Sequence, residues 1–131
     1  MTIEPKQKDT GETIIEVIAK IPNELDYDAI GIWHVVPIGE TSFGLSGMSL
    51  SDFVRRAIVA ILNEGGVPVR HVPGSGYEWV HQSQYGNTPQ EIADAIIREW
   101  EPVPNDSISM IEHCPWFARP DPEFPNYVKM D

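Results

Sequence analysis

The apolar positions of this chain fall into short runs whose spacing predicts strands and helices in alternation. Thr13 to Ile21 holds Ile14, Ile15, Val17, Ile18 and Ile21, a β-branched density that predicts an N-terminal extra strand, stopped by Pro22-Asn23-Glu24. After the acidic stretch Glu24 to Asp28, a second strand is expected over Ala29 to Ile38, with Ile30, Ile32 and Val36 on one face and Trp33 and Val35 on the other. Gly39 to Ser49 is rich in Gly, Ser and Thr and reads as a long loop. Ser49 or Ser51 then caps a helix whose stripe is Leu50, Phe53, Val54, Ala57, Ile58, Ile61 and Leu62, ended by Gly65-Gly66.

Val67 to Val72 and Tyr77 to Gln82 flank Pro73-Gly74-Ser75-Gly76, a pattern that predicts a hairpin. Pairing Val72 with Tyr77 sets His71 opposite Glu78 and Arg70 opposite Trp79. Thr88-Pro89-Gln90-Glu91 is a capping box for a helix that buries Ile92, Ala93, Ile96, Ile97 and Trp100. Ser107 to His113 alternates like a last strand, and Pro115, Pro120, Pro122 and Pro125 mark an irregular tail. Residues 1 to 11 are polar and expected to fray.

From residue 29 to 113 the expected order is strand, helix, strand, strand, helix, strand. The fold class is therefore α+β: a ferredoxin-like βαββαβ sandwich with an extra N-terminal strand and a Pro-rich C-terminal tail. Residues 1–131 read as a single domain, made of an extension (1–28), a core (29–113) and a tail (114–131). Because both faces of the strand at 29 to 38 are apolar, the open sheet face should be covered, by a homo-dimer or homo-tetramer partner or by the extra strand and tail.

Twenty acidic against nine basic residues give a net charge of −11, a field that repels phosphate backbones and anionic headgroups. Nucleic acid and membrane partners are thus not expected, whereas a cationic small molecule or a basic protein surface suits the charge. Cys114 is the one cysteine, so no internal disulfide forms; with no leader-like or membrane-length apolar run, the expected location is cytoplasmic. His113 and Cys114 are neighbours, and His71 and His81 share no ligand spacing, so neither metal nor cofactor is expected.

Val35-Val36-Pro37-Ile38-Gly39, the Ser/Thr loop, Ser49-Leu50-Ser51-Asp52-Phe53-Val54, and Val69 through Gly74-Ser75-Gly76 together resemble the small thiamine-binding-protein family over residues 29 to 113. The resemblance implies a ferredoxin-like oligomer that binds thiamine or its hydroxymethylpyrimidine moiety. The chain departs from the family pattern in a longer loop after Gly39, in Arg70-His71 where a Tyr-Glu pair is expected, and in Tyr77 where Thr is expected.

Ligand-binding candidates are Glu40, Thr41, Ser42 and Ser49 in the loop, whose hydroxyls and carboxylate suit a polar ring, although the same residues read equally as a solvated connector. Arg70, His71, Tyr77, Glu78 and Trp79 of the hairpin, with Trp33 on the sheet, add stacking surfaces and an acid–imidazole pair. The function expected is a non-catalytic, oligomeric binding protein for a small heteroaromatic ligand, cationic where acidity selects it. The alternatives are a small enzyme using His71 with Glu78, or Cys114, at a subunit interface, and an acidic protein that binds a basic partner.

Overall fold

The structure is a computed structural model, and it describes residues 11–130. The expected frayed start at residues 1 to 11 lies, Gly11 apart, outside them.

Helix α1 (Ile14–Lys20) occupies the place expected for the N-terminal strand. Thr13 and Glu16 close a capping box: the Glu16 N–H donates to Thr13 Oγ1 (3.2 Å) and the Thr13 N–H to Glu16 Oε1 (3.1 Å). Ile14, Val17, Ile18 and Ile21 then share a buried stripe, while Ile15 is 58% exposed. A 3-10 turn, Ile21–Asp26, continues the helix past Pro22.

The second expected strand is also corrected. Only Ile30–Gly31 is extended (β1); Ile32–Pro37 is helix α2, and Ile38–Ser42 is a π-helical turn instead of an open loop. The Gly31 N–H donates to His34 Nδ1 (2.9 Å), which turns the chain into α2, and Ile32, Val35 and Val36 bury one face of it. Helix α3 (Gly47–Asn63) begins slightly before the expected caps, at Ser46, and ends at Gly65, whose φ of +92° only glycine takes up freely. There the Gly65 and Gly66 amides donate to Leu62 and Ile61 carbonyls.

Strands β2 (Val67–Arg70) and β3 (Trp79–His81) form the expected antiparallel pair, but one residue out of the expected register: Val69 faces His81 and Arg70 faces Val80. Each side chain of β3 is thereby moved to the opposite face from the one expected. After a 3-10 turn at Ser83–Tyr85, helix α4 (Pro89–Trp100) starts at Thr88, whose Oγ1 accepts the Glu91 N–H (3.2 Å). The expected last strand is helix α5 (Ser107–His113), capped by Asp106 through the Ser109 N–H (2.8 Å). The tail supplies β4 (Trp116–Ala118) and β5 (Val128–Lys129).

The sheet runs β1-β4-β2-β3-β5. β4 is antiparallel to both β1 and β2, and β2 to β3, so β1 and β2 are parallel with β4 between them, and β3 and β4 are parallel with β2 between them. β5 adds in parallel to β3. The protein is α+β with a mixed sheet. Both crossovers are split by one strand, but the middle of the sheet is filled by β4 and β2, where a ferredoxin-like sandwich places its first and third strands.

Ile30 and Phe117 on one face pack with Phe53, Val54, Ile58, Ile61, Ala93 and Ile96 of α3 and α4. On the other face a smaller cluster of Ala29, Val69, Ala118 and Val128 is roofed by Trp79, Trp116 and Tyr127. Aromatic side chains of the sheet itself, and of the segment leading into β5, therefore cover the face that the sequence left open.

Candidate functional site: an acid-rimmed aromatic cleft

Beside β3 and β5 lies a cleft of about 550 Å³, walled by Leu25, Asp26, Tyr27 and Asp28, by Glu78, and by Arg119 to Asp121, Pro122, Phe124 and Tyr127. Two local rules build it. The 3-10 turn ends where Tyr27 and Asp28 N–H groups both donate to the Glu24 carbonyl (2.9 Å each), so Tyr27 projects with 86% of its surface exposed. The Pro-rich tail folds back in two turns, Phe124 N–H to Asp121 carbonyl (3.0 Å) and Tyr127 N–H to Phe124 carbonyl (2.9 Å). Main-chain bonds from Glu78 to Asn126 (3.0 Å) and from Trp79 to Tyr127 (2.9 Å) then lock the tail to β3.

Three aromatic rings, Tyr27, Phe124 and Tyr127, thus share one cavity with the carboxylates of Asp26, Asp28, Glu78 and Asp121. Arg119 is the cation in this wall, and it is ion-paired with Asp26. Asp28 and Asp121 each spend one oxygen on a local backbone amide, at Ala29 (2.8 Å) and Glu123 (2.9 Å). The remaining charge is negative, and it is felt within the wall: the Tyr127 hydroxyl is pushed above its usual pKa by burial first and then by Glu78 and Asp28. An aromatic wall with uncompensated carboxylates attracts a flat or quaternary cation through ring quadrupoles and full charges together.

Of the residues singled out from sequence, Glu78 lies in this cleft and Trp79 directly behind it. The Trp79 N–H leans toward the Tyr127 hydroxyl without the geometry of a full hydrogen bond. Trp33 joins the same sheet face: its ring lies 5.7 Å from Trp116, which lies 5.3 Å from Trp79. Neither Trp33 Nε1 nor His81 Nδ1, both buried, has a hydrogen-bond partner.

Arg70 is turned to the helix side, where it donates to Tyr85 Oη (2.9 Å) and Glu99 Oε1 (2.8 Å). The expected acid–imidazole pair does not form, because His71 Nδ1 meets the Glu78 carbonyl (3.2 Å) and not its carboxylate. Arg70, His71 and Trp79 line a smaller cleft of about 340 Å³ with Glu112, Cys114 and Trp116. There the Cys114 thiol is pushed up to about 11 by burial, with Glu99 adding to the shift and Arg70 opposing it, so it is not a nucleophilic thiolate at neutral pH. Tyr77 sits under Lys129 Nζ, 6.0 Å from its ring centre.

The loop candidates are engaged away from the cleft. Glu40 accepts from Asn105 Nδ2 (2.8 Å), Ser49 Oγ donates to the Ser46 carbonyl (2.7 Å), and Thr41 and Ser42 belong to the π-helical turn. The sequence reading missed Tyr27, Asp28, Phe124 and Tyr127. Their signal is aromatic residues embedded in acid- and proline-rich runs, Glu24-Leu25-Asp26-Tyr27-Asp28 and Asp121-Pro122-Glu123-Phe124-Pro125-Asn126-Tyr127.

Among the described residues no cluster of three His, Cys, Asp or Glu is set to hold a metal ion, and no helix is long and apolar enough to cross a membrane. Compared with known proteins, the chain matches no family model, no curated protein and no solved structure.

Proposed function

We propose that this protein is a non-catalytic binding protein for a small heteroaromatic cation, of which thiamine is the test case, and that the acid-rimmed aromatic cleft is its site. The observation that carries the reading is the convergence of Tyr27, Phe124 and Tyr127 with Asp28 and Glu78 on one cavity of about 550 Å³. That size suits a small molecule, and the rings and carboxylates suit a flat positive one. Self-association as a homo-dimer or homo-tetramer belongs to the same proposal. It is supported by the row of half-buried indoles Trp33, Trp116 and Trp79 on the sheet face, whose remaining exposed apolar surface a second copy would cover. The enzymatic alternative draws less support, since His71 is not paired with a carboxylate and Cys114 is held as a thiol.

Titration calorimetry with thiamine and with neutral hydroxymethylpyrimidine tests the reading. Thiamine should bind more tightly than the neutral ring, and Glu78→Gln should weaken it by about 1 kcal/mol, roughly fivefold. Absence of heat with thiamine at millimolar concentration, or equal affinity for charged and neutral rings, would remove the cation claim.

A further inference from the structure

A second cleft, of about 460 Å³, opens between α1 and α2 and is chemically unlike the first. Its wall is aliphatic: Val17, Ile21, Ile30, Val35 and Ile38. Four of these, Val17, Ile21, Ile30 and Val35, belong to the packed core, which makes the slot part of rigid packing and not a gap between mobile side chains. No aromatic ring stands in its wall apart from the imidazole of His34. Such a surface gains most by covering an alkyl chain.

Charge at the mouth selects the other end of the ligand. Glu12, Lys20, Glu24, Asp28 and His34 stand there. The Lys20 ammonium is paired with Glu12, so those two charges cancel. His34 accepts the Gly31 N–H on Nδ1, which places the proton of its neutral ring on Nε2 and adds a donor without a charge. Glu24 and Asp28 are left as the net charge, and an anionic headgroup would be repelled by both.

From this wall and this mouth we infer a binding site for an aliphatic cation, its alkyl chain in the slot between α1 and α2 and its ammonium group at Glu24 and Asp28. The site stands independently of the aromatic cleft, with which it shares Asp28 alone.

Calorimetry on the full chain with hexyl-, octyl- and decylammonium, each below its micellar concentration, and with methylammonium as the chainless control, tests the inference. Affinity should rise by up to about fourfold per methylene until the slot is filled. Methylammonium should not compete with the octyl probe. Ile38→Trp, which fills the slot, should abolish octyl binding, and Glu24→Gln, at an exposed carboxylate, should weaken it several-fold. Glu78→Gln, in the other cleft, should leave it unchanged. Far-UV circular dichroism checks that Ile38→Trp is folded, and if it is not, Glu24→Gln decides. Affinity that ignores chain length overturns the inference, as does octyl binding that survives Glu24→Gln unweakened or is lost in Glu78→Gln.

Discussion

Gly31 is a point where one atom matters. A Cβ built there would lie 2.5 Å from Trp33 Nε1 and 3.5 Å from Trp116 Cε3. The Trp33 ring cannot easily give way, since it stacks on His34 at 3.8 Å and meets Trp116 edge-on at 5.7 Å. Gly31→Ala should therefore destabilise the fold by about 1–3 kcal/mol, read as a lower urea midpoint, by the mechanism of overpacking. His34 beside it makes stability depend on pH. Burial holds its pKa below the ordinary 6.5 against the pull of Asp28 and Glu24, and its Nδ1 is already occupied as an acceptor. Above 6.5 both folded and unfolded chains hold it neutral. As the pH falls below 6.5 the unfolded chain takes the proton first, so stability is lost progressively toward the folded pKa. Urea melts from about pH 7 to about pH 5 should show this slope, and His34→Gln should make it shallower; an unchanged slope in the variant would falsify the assignment to His34.

At the scale of elements, α1 shows how a helix can hide in a β-branched run. Five Ile and Val residues between Thr13 and Ile21 favour a strand by propensity, yet the Thr13 to Glu16 box and the 14, 17, 18, 21 spacing are helical signals. Tertiary burial decides between them, since a strand would alternate Ile14 and Ile18 with neither Ile15 nor Val17. A pair of variants reads this out: Ile18→Ala should cost about 2–5 kcal/mol, and Ile15→Lys, on the exposed side, within about 0.5 kcal/mol of nothing. Helices α3 and α4 raise no such ambiguity. Their stripes are long, their caps are local, and they pack on each other with an Arg55 to Asp94 ion pair (2.7 Å) at the rim. Helix α5 was missed because seven residues hold too few turns for a stripe, with Met110 its one buried residue.

Across the whole molecule the tail is the decisive segment. Trp116, Phe117 and Ala118 take the place between β1 and β2, with Phe117 and Ala118 fully buried on opposite faces. Beyond them the chain crosses to the far edge, where β5 pairs with β3 and carries Phe124 and Tyr127 into the acid-rimmed cleft. A net charge of −11 is spread over this frame, and the two clefts concentrate part of it around aromatic walls in one case and aliphatic walls in the other. The same charge raises the local concentration of small cations near either mouth, an effect that salt should screen.

What the sequence determined by itself was set by local rules: the two long amphipathic helices, the glycine stop after α3, the Thr88 N-cap of α4, the existence of the β2–β3 hairpin and the acidity that disfavours polyanions. Each depends on residues within a few positions of one another, where spacing and side-chain chemistry suffice. Only the tertiary structure decided the rest. Short apolar runs such as 13–21, 32–37 and 107–113 take the conformation that buries them best, and that choice depends on neighbours far along the chain. The one-residue register of the hairpin follows from β4 and β5 on either side of it, and the two clefts exist because segments around residues 24 to 28 meet α2 on one side and the returning tail on the other. Strand partners and cavity walls are non-local, which is why Glu78 could be read from the sequence but Tyr27, Phe124 and Tyr127 beside it could not.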